Sequence, residues 1–170
     1  QFAQDNTATG SSNYIQWLNV EAELRSNLAR LIGAHKDSIA FVKNTSEALS
    51  FVAYGIDWHP GDVVIISDEE FPSNRILWDS LANKGVIVKA VSLKGETPEQ
   101  HLLVAIEQGA RLLSISAIQY ASGTRMNLTK LGQACRDNDT LFCVDAIQAI
   151  GAVQFDVEEC QCDFAMADGH

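Results

Sequence analysis

Short apolar runs without strict alternation recur along this chain, separated by segments with helical spacing. The runs are IAFV at 39–42, VVIIS at 63–67, VIVKAV at 86–91, LLSISAI at 112–118, LFCV at 141–144 and FAMA at 164–167. Runs this short, apolar at consecutive positions, suit strands covered on both faces. Ahead of them, residues 12–33 carry Tyr14, Trp17, Leu18, Leu24, Leu28, Leu31 and Ile32 at helical spacing, closed by Gly33, and predict an amphipathic helix. Pro72 fits the first turn of a helix that stops at Gly85. Thr97-Pro98-Glu99-Gln100 reads as a start signal with a capping-box glutamine, and Gly109 as its stop. Asn127 caps a further helix to about Asn138. Strands alternating with helices predict right-handed crossovers and an α/β fold with a mainly parallel sheet. No repeat, linker or low-complexity block interrupts the pattern.

A chain of 170 residues, 46% hydrophobic, is long enough to bury one substantial core, so residues 1–170 are expected to form one α/β unit. The net charge of −10, with Lys and Arg scattered, argues against nucleic acid or an anionic membrane as partner. An anionic ligand must then be held by local donors. Cys135, Cys143, Cys160 and Cys162 lack C-x-x-C spacing and read as reduced thiols of a cytoplasmic protein, with Cys143 in the core. No span is long and apolar enough to cross a membrane, and His35, His59 and His101 have no metal-ligand spacing and read as surface residues.

In an open α/β sheet, ligands bind outside the carboxyl ends of the strands, and the polar residues here gather at those ends. Lys43–Glu47, Ser67–Asn74, Gln119–Arg125, Asp145–Gln148 and Asp168–His170 each follow a predicted strand. In NTSEALSFVAYG, hydroxyl residues open a helix whose free N–H groups make a phosphate site, although Asn44 or Thr45 also reads as a plain N-cap. Phe71, on its own, reads as a hydrophobic staple or a core residue packing against the Pro72 helix. Gln119, before the Ser122-Gly123-Thr124 turn, is a loop residue or an amide that contacts ligand. Asp145, on its own, reads as a helix N-cap, with Gln148 one helical turn onward. No G-x-G-x-x-G follows a strand, which argues against a dinucleotide-binding domain.

Taken together, Val144-Asp145-Ala146-Ile147-Gln148, Gly151 and Asp168-Gly169-His170 resemble the cofactor-binding core of the class V aminotransferase and cysteine desulfurase family, which uses pyridoxal 5'-phosphate (PLP). The resemblance implies the three-layer large domain of a fold-type I enzyme. It also implies a Schiff-base lysine directly after His170 and a small C-terminal domain beyond it. On that reading the 170 residues are an excerpt, inactive alone. Thr45 and Ser46, in Thr45-Ser46-Glu47, take the place of the turn that grips the PLP phosphate, and His170 that of a further phosphate donor. Phe71 takes the place of the ring that stacks on the pyridine, Asp145 keeps the pyridine nitrogen protonated, and Gln148 and Gln119 reach the ring oxygen or substrate.

Two positions depart from the desulfurase pattern. Histidine usually stands where Phe71 does, and Phe71 stacks but transfers no proton; Phe-Pro is instead the pairing of kynureninase-like members. Asp168 replaces a serine and would repel the phosphate unless turned away, so it receives no role. Gln119 also lies one residue further from Gly123 than the desulfurase amide, a spacing Tyr120 occupies. The resemblance implies a homodimer and an amino-acid substrate transformed through Schiff-base chemistry by a transferase or lyase. The alternatives are a cysteine desulfurase or selenocysteine lyase, a kynureninase-like C–C lyase, and a non-catalytic α/β binding module that has lost the lysine.

Overall fold

The computed structural model describes residues 2–169. Five parallel strands form one sheet in the order β2-β1-β3-β4-β5, with β1 at Val63–Ser67, β2 at Ile87–Val91, β3 at Leu112–Ser116, β4 at Leu141–Asp145 and β5 at Phe164–Met166. Register pairs Ser67 with Val91, Ser116 with Asp145, and Asp145 with Met166, so the polar strand ends finish level along one rim. β3 is buried at every position and β1 at all but its first, as expected for apolar runs covered on both faces.

The two faces are covered by different helices. Val64, Ile66, Leu112, Cys143 and Met166 pack with Leu49 and Ala53 of α3 (Thr45–Gly55) and with Trp78 of α4 (Pro72–Asp79). α5 (Gln100–Glu107) packs on β1 and β2, while α6 (Leu128–Asp137) lies on β4, with Gly132 close to the Phe142 ring. Helix ends follow local chemistry. Pro72 opens α4 at its first turn, a short 3₁₀ stretch extends it to Lys84, and Gly85 ends it at φ 79°. Asn127 caps α6 by accepting from Lys130 N at 3.0 Å. Gln100 folds back as a capping-box glutamine does, but onto Glu96 N (3.0 Å), one residue earlier than the expected Thr97.

The chain divides into two compact units, one up to Ala40 and the other from Phe41 onward. The first holds α1 (Phe2–Thr9), a 3₁₀ turn at Gly10–Asn13 and α2 (Tyr14–Leu31). The predicted helix over 12–33 is therefore real but starts at Tyr14, and α1 precedes it. Arg25 ties α2 to the end of its unit through the Ile39 carbonyl and pairs with Glu21 at 2.9 Å.

One predicted strand is corrected. IAFV at 39–42 is extended at Ile39 (φ −90°, ψ 123°) but enters no ladder. Strand propensity is realised only where a neighbouring strand supplies hydrogen-bond partners, and none of the described strands does so here.

Candidate active site at the carboxyl rim of the sheet

α3 runs back to β1 through the segment 56–62, so its first turn stands at the carboxyl ends of the strands. Which residue caps it decides what remains for a ligand. Asn44 does: its Oδ1 accepts from Glu47 N (2.9 Å), and Glu47 Oε2 accepts from Lys43 N (2.6 Å), a reciprocal box that uses no atom of Thr45. Thr45 is 7% exposed and its Oγ1 has no hydrogen-bond partner. Ser46 beside it is exposed. The helix thus presents a positive end and a spare hydroxyl.

Between β1 and α4 lies a buried carboxylate that sequence reasoning did not single out. Glu70 Oε1 accepts from Ser67 Oγ (2.9 Å), Gln119 Nε2 (2.8 Å) and Ser116 N (3.1 Å). Glu70 Oε2 accepts from Asn74 Nδ2 (2.8 Å) and Ser116 Oγ (2.6 Å). Asn74 is itself oriented by Trp78 Nε1 (3.0 Å) and Ser114 Oγ (2.7 Å), both donating to its Oδ1. The network joins β1, β3, α4 and the loop after β3, and holds Gln119 at 1% exposure. The available sequence signals were Asn74 four residues after Glu70 and two serines, Ser114 and Ser116, on one face of an otherwise apolar strand.

The loop after β3 is closed on itself by Gln119 N to Thr124 O and Gly123 N to Gln119 O, both 2.9 Å. Gly123 sits at φ 69°, where a side chain would be strained. Ser122 Oγ donates to Glu69 Oε2 at 2.6 Å, tying this loop to the one before α4. Across that contact Phe71 and Tyr120 meet edge to face, ring centroids 5.1 Å apart. Phe71 is 47% exposed, so it is not a core residue; it stands at the N-cap of α4.

Asp145 ends β4 and is 3% exposed. Its Oδ1 accepts from Ile147 N at 3.1 Å, an Asx turn, and turns rather than a helix follow it, so the N-cap alternative is not what forms. Burial pushes its carboxyl up to about 6, the Glu70 charge adds to this, and the Ile147 N–H opposes it. Among the described residues no ion pair reaches Asp145. Gln148 is exposed on the following turns. The structure thus brings Phe71, Gln119 and Asp145 around Glu70, while Thr45 and Ser46 share the rim without a hydrogen bond to that group. Asp168 is exposed and accepts from Gly169 N at 2.7 Å; His170 lies outside the described residues.

The thiols stand apart from this chemistry. Burial pushes Cys135, Cys143 and Cys162 up to about 12 and raises Cys160, which leaves none poised as a thiolate nucleophile. Among the described residues no group of His, Cys, Asp and Glu is arranged to hold a metal, and no helix is long and apolar enough to cross a membrane.

Residues 8–170 match the family model described as aminotransferase class-V. The chain belongs to that family. A probable cysteine desulfurase of Methanothermobacter thermautotrophicus is 34% identical over 174 residues, covering 99% of this chain and 44% of the relative. An isopenicillin N epimerase of Amycolatopsis lactamdurans is 28% identical, covering 86% and 39%. The apo structure of a cysteine desulfurase from Thermococcus onnurineus superimposes with a TM-score of 0.81 at 30% identity, covering 88% of this chain and 38% of that one. This class-V aminotransferase chain thus spans less than half the length of these relatives.

The rim residues fit the cofactor that the resemblance implies. PLP carries a phosphate, a ring nitrogen that takes a proton, and polar substituents. Against these the chain sets Thr45 Oγ1 at a helix N-terminus, a buried carboxylate at Asp145 that no cation of the described residues pairs, and an unpartnered amide oxygen at Gln119. Buried polar atoms are rarely left unpaired, and each costs on the order of 1–3 kcal/mol unless a ligand or water satisfies it.

Proposed function

We propose that this chain is the cofactor-binding large domain of a PLP-dependent enzyme that transforms an amino acid, acting as a homodimer. The observation that carries this reading is Asp145, a carboxylate buried at a strand end, held near a pKa of 6 and met by no cation among the described residues. Such a group is costly unless a protonated ring nitrogen completes it.

When bound, PLP supplies an electron sink for charge that develops at the substrate Cα. The chain's own residues bind and orient. Thr45 Oγ1 and the N–H groups of the first turn of α3 hold the phosphate, with Ser46 beside them and His170 as a further donor. Asp145 holds the proton on the ring nitrogen. Phe71 covers a ring face but has no proton to give or take. Gln119 and Gln148 contact the polar edge, and Ser122 and Gly123 fix the loop from which Gln119 projects.

Two observations bear on the reaction. The 34% identical probable cysteine desulfurase favours sulfur removal from cysteine. Phe71, which lacks the acid–base capacity of histidine, favours transamination, epimerisation or Cβ–Cγ cleavage. Any nucleophilic thiol would have to come from outside these residues, because all four cysteines here are held protonated.

The test is the visible spectrum of the full-length protein purified with PLP, before and after borohydride. A visible band that borohydride abolishes, with the cofactor left covalently attached, is the expected result. A folded full-length protein with no such band would overturn the reading and favour a binding module that has lost the lysine.

A further inference from the structure

The hydrogen bonds around Glu70 have a direction, and it is set far from the ligand. Trp78 Nε1 is a donor only and is fully buried, so the atom of Asn74 that meets it at 3.0 Å must be the carbonyl oxygen. Ser114 Oγ reinforces this by donating to the same oxygen at 2.7 Å. Asn74 therefore turns its NH₂ to Glu70 Oε2 (2.8 Å), and the Ser116 N–H, also only a donor, reaches both carboxylate oxygens at 3.1 and 3.2 Å. The carboxylate accepts from every side. Gln119 must meet it with its NH₂, at 2.8 Å, and its Oε1 is left buried without a partner. Free to rotate, a glutamine offers a ligand either a donor or an acceptor; here the Glu70 carboxylate makes the choice, and Trp78, through Asn74, helps to hold that carboxylate in place.

We propose that Glu70 is a positioning residue that fixes the polarity of the Gln119 amide, so that the site presents a carbonyl acceptor there and recognises a hydrogen-bond donor, a hydroxyl or protonated nitrogen, on its ligand. This rests on the function proposed above for the identity of the ligand, but not for the polarity itself. An acceptor at this point stabilises the protonated form of whatever it meets, and so raises the pH at which that proton leaves.

Two measurements on the full-length protein test this. In the cofactor-free protein, the Gln119 side-chain NH₂ should be strongly protected from exchange by NMR, and Glu70→Gln, which offers both a donor and an acceptor, should remove that protection. An unprotected Gln119 amide in the wild type would overturn the proposal. With PLP bound, the pH midpoint of the visible band should fall by about one unit in Gln119→Met and by a similar amount in Glu70→Gln. The double variant should fall no further than either single one, because both act through the same amide. Additive shifts would mean that Glu70 acts on the ligand only by its charge, and an unshifted Gln119→Met would mean that the amide does not touch it; either overturns the proposal. Should Glu70→Gln fail to fold, Gln119→Met and the wild-type exchange measurement decide it. A protected amide in a protein that shows no visible band would sink the cofactor reading while leaving the polarity intact.

Discussion

Asp145 carries a cost in the cofactor-free protein that can be measured. Its carboxyl titrates at about 6 in the folded state against 3.8 ordinarily, so the folded chain binds the proton more tightly than the unfolded one. The stability this contributes is complete below pH 3.8 and is lost as pH rises through 6, which places the penalty at neutral pH. Asp145→Asn keeps an acceptor for Ile147 N and removes the charge. In denaturant titrations without cofactor, the variant should be more stable than the wild type at pH 7.5, by at most about 3 kcal/mol, with the gap closing towards pH 4. The gap should also close when PLP is bound, since a ring cation then meets the carboxylate. Equal stability at pH 7.5 would show that Asp145 is solvated and not strained. At this scale the sequence was informative in proportion to how local the chemistry is. Asp145 at a strand end and hydroxyls at a helix start are readable from neighbours. The choice of Asn44 over Thr45 as cap depends on side-chain geometry, and Glu70 stayed hidden because its partners Ser116 and Gln119 lie more than forty residues away.

Among the elements, α6 shows how closely the fold is set. Gly132 lies in the middle of that helix, buried, where an alanine would raise helix propensity by about 1 kcal/mol in isolation. Here a Cβ would run into the backbone carbonyl oxygen of Cys160 and stand 2.9 Å from its carbon, with the Phe142 ring at 3.4 Å. Backbone cannot rotate away as a side chain can, so α6 or the 156–162 turns must shift. Gly132→Ala should therefore destabilise by about 3 kcal/mol despite its better propensity, read as a lower denaturation midpoint with unchanged slope. A neutral or stabilising result would mean that α6 does not approach that carbonyl. The same contrast explains what was legible at this level. Five helices, α2 to α6, and five strands follow from runs, caps and glycine stops, because those signals act within a few residues. IAFV fails as a strand although its composition is right, because pairing is a property of a neighbour that composition does not report. The helix expected after Asp145 becomes turns for a related reason: the Asx turn at Ile147 and the closely spaced turn bonds through Val153 satisfy the backbone locally.

For the whole molecule, the resemblance implies a homodimer, and the unit up to Ala40 is where a need for partner surface shows most clearly. α2 is 18 residues long, yet Ala29 is its only buried residue. Tyr14, Leu18, Leu24 and Leu31, at one broad stripe of helical spacing, are between 42% and 59% exposed. A helix in water draws most of its stability from burying such a stripe, and exposed apolar surface of this extent marks interaction sites. On the dimer reading, the partner copy supplies part of the cover. Light scattering on the full-length protein at micromolar concentration should then give the mass of two chains. Leu24→Glu with Leu31→Glu places two charges on that stripe, and because both side chains are exposed the change should leave the sheet unit folded while shifting the mass towards one chain. A wild type that scatters as a monomer at every concentration would overturn the dimer. A double variant that remains fully dimeric with native stability would instead move the interface off α2, to a surface such as that of α3, where Phe51 and Tyr54 are also exposed.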